Sequence, residues 1–236
     1  MDQSRASRNR PAIPWVMIPV SPGEPVKQKP PETPNELPTP QNHPAERQPD
    51  RNRRTVVTWT KLSSRVVFEN PWMRVLEDHV INPGGGENLY GHIHFRNVAV
   101  GILPIDDENH TWLVGQQRYT LGEYSWELPM GGAPLNEKPL EAAKRELQEE
   151  TGLTAACWTE LMRVHTSNSI TDEAGVVYVA ESLTPGKSNA EETEDLAVRR
   201  LPLDEAVAMA VDGRITDAIS VAALLKVALT RARSGR

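Results

Sequence analysis

One segment near the middle of the chain, residues 131–153, restricts the possible fold more than any other. It reads GGAPLNEKPLEAAKRELQEETGL. Proline suits the first turn of a helix and glycine suits its C-terminal cap, so Pro139 and Gly152 predict a helix over residues 139–151. One stripe of this helix is apolar and must pack against another layer of the protein. Its members are Leu140, Ala143 and Leu147.

A second stripe of the same helix is acidic. It carries Glu146, Glu149 and Glu150, whose spacing places like charges within one turn. Such pairs destabilise a helix by roughly 0.2–0.5 kcal/mol each. Two explanations are open. The stripe is either an ordinary solvated face, which charge alone favours, or a site for a hard divalent cation such as Mg²⁺, which prefers oxygen ligands.

Composition changes sharply near residue 55. Residues 1–54 hold twelve of the twenty prolines and few apolar residues, so this segment cannot bury enough surface to offset its ordering entropy. We expect a disordered Pro-rich extension there. The rest of the chain carries 17 basic and 26 acidic side chains, which makes it a poor surface for nucleic acid.

The sequence also bears on membranes and compartment. No stretch approaches the ~18 uninterrupted apolar residues of a spanning helix. The apolar part of the N-terminus is interrupted by Pro14 and Pro19, so we predict neither a signal peptide nor a membrane partner. The single cysteine, Cys157, rules out an internal disulfide framework and is typical of a reducing interior. A cytoplasmic location is therefore expected.

From residue 55 onward the pattern is that of a mixed α/β domain. Residues 74–81 and 89–95 alternate as strands do and are joined by the turn-rich NPGGGE, which predicts an antiparallel hairpin. Residues 98–105 form a short apolar run typical of a buried strand, and residues 111–119 are expected as its neighbour. Further strands are predicted within 175–183 and 195–203, and further helices over 203–211 and 217–231.

The spacing across residues 131–153 resembles the Nudix box at every defined position. Nine positions are fixed within 23 residues, so the pattern is highly specific: Gly131, Glu137, Arg145, Glu146, Leu147, Glu149, Glu150, Gly152 and Leu153. The resemblance implies an α/β/α sandwich with a mixed sheet, preceded by a small N-terminal antiparallel sheet. The expected division is a Pro-rich extension at 1–54, a β-hairpin region at 55–95 and a Nudix hydrolase domain at 96–236.

The resemblance also implies a reaction and its metal site. Nudix hydrolases use Mg²⁺ or Mn²⁺ to hydrolyse a nucleoside diphosphate linked to another group. By that resemblance the metal ligands are Glu146, Glu149, Glu150 and the backbone carbonyl of Met130. Arg145 orients a carboxylate through an ion pair with Glu137, and Gly131 permits the turn from loop to helix.

The segments that flank the box are similar to those of ADP-ribose pyrophosphatases. They read GQQRYTLGEYSWELPMGG at 115–132, SNSITDE at 167–173 and DGRITDAISVAALL at 212–225. In that group the arginine matching Arg118 contacts the diphosphate, and the glutamate matching Glu127 lies near the sugar or the metals. Glu173 matches a glutamate proposed to activate water, with Glu149 as the other candidate base. Aromatic residues such as Tyr119, Tyr124 and Trp126 could stack on a base or shape the pocket, although such residues more commonly belong to the core.

One departure from the ADP-ribose pyrophosphatase pattern leaves more than one substrate class as a candidate. The marker proline of ADP-ribose pyrophosphatases is replaced here by Asn168. ADP-ribose is the first candidate, and a nucleoside triphosphate, a dinucleoside polyphosphate or another nucleotide sugar is the alternative. A non-catalytic nucleotide-sugar sensor is disfavoured, because no box carboxylate is lost. The resemblance further implies a two-fold homodimer in which the N-terminal sheets are exchanged and help to build the substrate pocket. His92 and His94 alternate on one strand face without a carboxylate or cysteine beside them in sequence, so we interpret them as surface residues and not as zinc ligands.

Overall fold

The computed structural model describes residues 58–187 and 196–235, and the predicted extension at 1–54 lies outside them. The described elements are β1 Thr60–Glu69, β2 Met73–Ile81, β3 Glu87–Phe95, β4 Asn97–Pro104, β5 His110–Arg118, β6 Glu123–Glu127, β7 Met130–Pro134, α1 Pro139–Thr151, β8 Leu153–His165, β9 Ala174–Pro185, β10 Ala197–Pro202, α2 Leu203–Asp212 and α3 Ala218–Arg233. The strands form three sheets.

The first sheet has the order β1-β2-β3 and is antiparallel throughout. It contains the predicted hairpin, in which β2 and β3 pair without interruption from Met73 opposite Phe95 to Ile81 opposite Glu87. The strand β1 was not predicted from the sequence. Every residue of this strand is exposed, so its side chains lack the apolar and polar alternation by which a half-buried strand is recognised.

The central sheet has the order β7-β4-β9-β8 and is mixed, because β4 and β9 run parallel while the other pairs are antiparallel. Alternate residues of β9 belong to two different cores. Val176 and Tyr178 pack with the helix α1, whereas Val177 and Val179 pack with α2 and α3. Successive strand residues point to opposite faces, so the helices cover both faces. The expected α/β/α sandwich is therefore confirmed.

The third sheet corrects one predicted pairing. Residues 111–119 were expected beside 98–105, but β5 pairs with β10 and β6, while β4 pairs with β7 and β9. The connecting turn explains the difference. Asp106 accepts hydrogen bonds from the backbone N–H of Glu108 and His110 at 3.0 and 2.8 Å, and Asn109 adopts a φ of 59°. The turn thereby directs β5 out of the central sheet.

The predicted helices are confirmed, and that over residues 139–151 has the predicted bounds. Pro139 occupies its first turn, and Gly152 caps it in the left-handed conformation, with a φ of 73° and its N–H bonded to the carbonyl of Gln148. Among residues 58–187 and 196–235, no helix is long and apolar enough to cross a membrane.

Candidate active site

The site is built where α1 lies across the central sheet. Ala142, Ala143 and Leu147 are fully buried in one core with Val100, which brings the acidic stripe to the edge of that contact. Gly131 lies opposite Val100 within β7. A methyl group on this glycine would overlap the carboxylate of Glu146. Glycine at this strand position therefore leaves room for the carboxylate of Glu146. The expected role of Gly131 in a turn is wrong, because the residue is inside the strand.

Arg145 holds the acidic stripe together. Its guanidinium donates to Glu146 at 2.8 Å and to Glu149 at 2.9 Å through the same nitrogen, Nη1. Its other terminal nitrogen, Nη2, donates to the carboxylate of Glu137 at 3.1 Å and to the carbonyl of Gly132 at 3.2 Å. The pKa of Arg145 is raised, first by the hydrogen bond with Glu137 and then by the charge of Glu146. The ion pair between Arg145 and Glu137 is present, as expected.

Two box carboxylates are shielded from water. Burial raises the pKa of Glu146, although the charge of Arg145 and a hydrogen bond from the Gly132 N–H oppose this. Glu150 is 5% exposed, and its Oε2 accepts a hydrogen bond at 3.0 Å from the N–H of Met130. This bond fixes the end of α1 against the start of β7. It places the side chain of Glu150 beside the backbone of Met130, and both were predicted to bind the same metal.

The carboxylates of the three box glutamates are not gathered around a single point. Among the described residues, the group whose potential ligand atoms all lie within 4.8 Å is a different one: Asp106, Glu108 and His110. These residues lie in the turn between β4 and β5, and Arg200 binds both acids at 2.6 Å. Arg200 neutralises this second cluster, as Arg145 does Glu146 and Glu149. Because Glu146 and Glu149 line a cavity and belong to the box, we assign no ion to the turn.

A cavity of about 460 Å³ opens beside the acidic stripe. Box residues of α1 and β7 line it together with the turn between β1 and β2 and the start of β4. The lining includes Arg145, Glu146, Glu149, Met130, Gly131, Gly132, Pro71, Trp72, Arg96 and Asn97. The last four were not among the predicted site residues, because they lie outside the box and the flanking segments similar to ADP-ribose pyrophosphatases.

Arg118 and Glu127 form a bidentate ion pair with each other. Arg118 Nε donates to Glu127 at 2.9 Å, and its Nη2 also donates to this carboxylate. The pKa of Arg118 is raised, mainly by this bond and to a lesser extent by the charges of Asp217 and Glu150. Burial raises the pKa of Glu127, but the bonds from Arg118 and Ser125 outweigh it and lower the pKa overall.

The Arg118–Glu127 pair lines a separate cavity of about 290 Å³, which also contains Asp217. The structure thus brings the two predicted substrate-binding residues together. The charge of Glu150 contributes to raising the pKa of Arg118. Their contacts with substrate stay a prediction.

Glu173 lies at the end of a loop that is attached to the N-terminal sheet. Its Oε2 accepts a 2.5 Å hydrogen bond from Thr166 Oγ1. The preceding residues bond to β3: the Ile93 N–H donates to Ile170 at 2.8 Å, and the Phe95 N–H donates to Asp172 at 2.9 Å. The loop is therefore held in place, and Glu173 is oriented by Thr166. Its role as a base stays a prediction.

Both histidines of β3 have carboxylate partners, which corrects the expectation that they lack them. His92 contacts Asp78 at 3.1 Å, and His94 contacts Asp172. The partners are 14 and 78 residues away in sequence, so only the fold reveals them.

The aromatic candidates differ in burial. Trp126 is partly buried against the core and meets Tyr124 edge to face with ring centroids 5.7 Å apart, while Tyr119 is 97% exposed. Base stacking by Trp126 stays a prediction.

Comparison with known proteins assigns most of the chain to two families. Residues 95–223 match the NUDIX domain, and residues 59–93 match the nucleoside diphosphate sugar hydrolase N-terminal domain. The ADP-ribose pyrophosphatase of Mycobacterium tuberculosis is 34% identical over 170 residues, which is 70% of this chain and 81% of that protein.

Two further similarities bear on substrate and fold. The CMP-5'-(N-acetyl-N-hydroxy-3-aminopropyl)phosphonate hydrolase of Streptomyces rubellomurinus is 28% identical over 177 residues, or 74% of this chain and 85% of that protein. The crystal structure of an ADP compounds hydrolase superposes with a TM-score of 0.70 at 26% identity, covering 78% of this chain and all of that one.

Proposed function

The chain belongs to the Nudix family, and from this premise we propose that it hydrolyses the pyrophosphate bond of a nucleoside diphosphate sugar, with ADP-ribose as the leading substrate. The products would be a nucleoside monophosphate and a sugar phosphate. The observation that carries the proposal is the cavity lined by Arg145, Glu146 and Glu149. The similarity to an ADP-ribose pyrophosphatase over 81% of its length supports the choice of substrate.

We assign the metal to the box stripe. Glu146, Glu149 and Glu150, with the carbonyl of Met130, would hold Mg²⁺ or Mn²⁺, since hard cations prefer carboxylate and carbonyl oxygens. Glu149 is the most exposed of the three glutamates. The bound metal would neutralise the oxygens of a diphosphate and so favour attack by water.

The protein's own groups supply the rest. Arg145 keeps Glu146 and Glu149 oriented and separates their charges, which reduces the repulsion between them. Arg118 would contact the diphosphate, and Glu127 aims its guanidinium. Glu173, oriented by Thr166, would accept the proton of the attacking water. The alternative base is Glu149, which would be weaker when bound to a cation because the positive charge favours its ionised form.

A second substrate class has a specific observation in its favour. Asn168 stands where ADP-ribose pyrophosphatases have a proline, and a relative similar over 85% of its length is named as a hydrolase of a CMP-linked phosphonate. Another nucleotide carrying a diphosphate or phosphonate ester is thus the alternative.

The assembly and division of the chain are part of the proposal. Leu62, Val66, Val67 and Phe68 of β1 are each about half exposed. Such an apolar strand is typical of an interface, which supports a two-fold homodimer. The matched ranges 59–93 and 95–223 support the division into regions 55–95 and 96–236 after the extension at 1–54. The cytoplasmic location stays a prediction.

A substrate panel tests the activity. The full chain with Mg²⁺ is incubated with ADP-ribose, ADP-glucose, a diadenosine polyphosphate and dATP, and products are identified by chromatography. We expect AMP and ribose 5-phosphate from ADP-ribose, loss of activity in EDTA and recovery with Mg²⁺ or Mn²⁺. Full activity in EDTA would contradict the metal assignment. Turnover of dATP alone would indicate that the substrate is a nucleoside triphosphate and not a nucleotide sugar.

Variants locate the metal on α1. Glu150→Gln should lower kcat about a hundredfold or more, as loss of a charge-stabilising group often does. Glu141→Gln is the matched control, because Glu141 lies on the same helix but is exposed and pairs with Lys144. A hundredfold loss in the control as well would indicate a general effect of helix charge.

A further inference from the structure

A buried serine on α3 contacts the segment that carries two of the proposed site residues. Ser220 is fully buried and lies in the first turn of α3. Its Oγ accepts a hydrogen bond at 2.9 Å from the backbone N–H of Leu128, which is 92 residues earlier in the sequence. Leu128 directly follows Glu127 and stands two positions before Met130. The contact therefore reaches the site from the face of the central sheet opposite α1.

Leu128 and Pro129 form a two-residue link between β6 of the third sheet and β7 of the central sheet. Proline has no N–H, so the N–H of Leu128 is the only backbone donor that the link possesses. Leu128 is fully buried, and a buried N–H without an acceptor is costly. Ser220 supplies this acceptor, and the link thereby becomes attached to α3.

The neighbouring groups of the link are bonded to other elements. The carbonyl of Pro129 accepts a hydrogen bond at 2.8 Å from the N–H of Ile102 in β4. The N–H of Met130 donates to Glu150 of α1 at 3.0 Å. Bonds from α3, β4 and α1 thus hold three successive residues. The carbonyl of Met130 follows immediately, so its position depends on all three bonds.

The first turn of α3 is also oriented relative to the Arg118–Glu127 pair. Asp217 caps the helix by accepting a hydrogen bond at 2.7 Å from the N–H of Ser220. The same residue lines the cavity that contains Arg118 and Glu127, and its charge contributes to raising the pKa of Arg118. Asp217 and Ser220 therefore connect one helical turn to both ends of the candidate site.

We propose that Ser220 is a positioning residue of the hydrolytic site, which holds the link so that the carbonyl of Met130 and the carboxylate of Glu127 keep their places. Ser220 contacts neither substrate nor metal in this role. The inference rests on the proposed function, because it uses the proposed metal ligands, and it deepens that function by adding a residue of α3. Residues that orient metal ligands influence metal affinity, so the effect is measurable without turnover.

The test measures metal binding by the full chain in the absence of substrate. Mn²⁺ is titrated into the unsubstituted chain, Ser220→Ala, Ser220→Thr, Ser220→Val and Thr111→Val, and free Mn²⁺ is followed by electron paramagnetic resonance. Threonine and valine have nearly the same shape, so their comparison isolates the hydroxyl group. Thr111 is the matched control, because it is also fully buried and its Oγ1 has no hydrogen-bond partner within residues 58–187 and 196–235. The titrations are made at a temperature at which thermal unfolding shows every variant to be folded.

We expect Ser220→Ala and Ser220→Val to weaken Mn²⁺ binding about tenfold, the lower end of the range for residues that orient metal ligands. Ser220→Thr should retain most of the affinity, and Thr111→Val should bind as the unsubstituted chain does. Amide hydrogen exchange gives a second readout, because it reports local opening and needs neither metal nor turnover. Exchange at Leu128 and Met130 should be faster in Ser220→Val than in Ser220→Thr.

Equal Mn²⁺ affinity of Ser220→Val and Ser220→Thr would overturn the proposal, as would an equal loss in Thr111→Val. If the added methyl group prevents both β-branched substitutions from folding, Ser220→Ala decides, since it adds no atom. A chain that binds Mn²⁺ but hydrolyses no nucleotide sugar would contradict the proposed function, and the titration would still decide the role of Ser220. A chain that binds no Mn²⁺ would contradict the metal assignment, and amide exchange at Leu128 and Met130 would then show whether Ser220 holds the link.

Discussion

Single residues determine where the carboxylates of the box lie beside β7. Gly131 leaves room for the carboxylate of Glu146 beside β7, and the Met130 N–H bonds to Glu150 one position earlier. The position of the Glu146 carboxylate thus depends on the absence of a single methyl group. This dependence accounts physically for the first glycine of the box pattern.

The change Gly131→Ala should therefore impair catalysis more than stability. The added methyl overlaps the carboxylate of Glu146, which is the end of a flexible side chain and can turn away, so the Tm should change little. A displacement of ~1 Å at a catalytic group should lower kcat about a hundredfold. Thermal unfolding and kcat with Mg²⁺ measure the two effects. Gly91→Ala in β3 is the control, because no atom lies within 4 Å of the added methyl. An active Gly131→Ala variant would contradict this explanation.

The two candidate bases are separated by a second substitution. Glu173→Gln should lower kcat by about 10²–10⁴-fold, the range for loss of a general base, while the Mg²⁺ concentration for half activation and KM change little. Glu146→Gln should weaken metal activation as well as turnover. Rates are compared from pH 6 to 9 at several Mg²⁺ concentrations. If Glu173→Gln works at near the normal rate throughout, the base lies elsewhere and Glu149 is tested next.

At the scale of elements, the turn between β4 and β5 decides which sheet each strand joins. Asp106 accepts two backbone N–H groups and two nitrogens of Arg200, the latter at 2.8 and 2.6 Å. Burial raises the pKa of Asp106, but these bonds and the charge of Arg200 outweigh it and lower the pKa overall. Arg200 lies on β10, so the ion pair also fastens β10 to the turn that leads into β5.

The lowered pKa of Asp106 gives a pH dependence with a definite sign. A depressed folded-state pKa stabilises the protein above the ordinary value of 3.8, and this stability is lost as the pH falls through the folded pKa. Asp106→Asn should lower the Tm at pH 7 by about 2–4 °C for each kcal/mol lost. The difference from the unsubstituted chain should shrink below pH 3.8. Glu108→Gln, which alters an exposed partner of Arg200, should have little effect. A Tm difference that is constant with pH would contradict this account.

At the scale of the whole molecule, the exposed strand β1 is the surface that bears on assembly. Its apolar side chains lie on a sheet of only three strands, and a stable interface buries on the order of 1,200–2,000 Å² in total. The N-terminal sheet also borders the box cavity through Trp72 and carries the loop that ends at Glu173. Assembly through this sheet would therefore affect the site directly.

Light scattering at micromolar concentration should give twice the chain mass. A variant lacking residues 1–54 should keep both the dimeric mass and the activity, since the described fold begins after them. Val67→Lys should shift the mass toward the monomer, because it places like charges in a two-fold interface. A monomeric full chain would remove the dimer from the proposal, and loss of activity on truncation would show that the extension contributes to function.

The sequence by itself determined the helix of the box, its bounds and its two stripes. Pro139, Gly152 and the spacing of Leu140, Ala143 and Leu147 are local signals, and local backbone preferences produced the observed helix directly. The strands β2, β3, β4 and β9 were also predictable, since alternation or continuous apolarity in the sequence reflects burial on one or both faces.

Only the tertiary structure decided which residues meet. The His92–Asp78 and His94–Asp172 pairs, the placement of β5 away from β4, and the lining of the box cavity by Trp72 join segments whose separation in sequence carries no local signal. β1 escaped prediction for a related reason, because all its side chains are exposed and no burial pattern marks it. The sequence thus determined the chemistry of the acidic helix, whereas packing decided the shape of the cavity in which that chemistry would act.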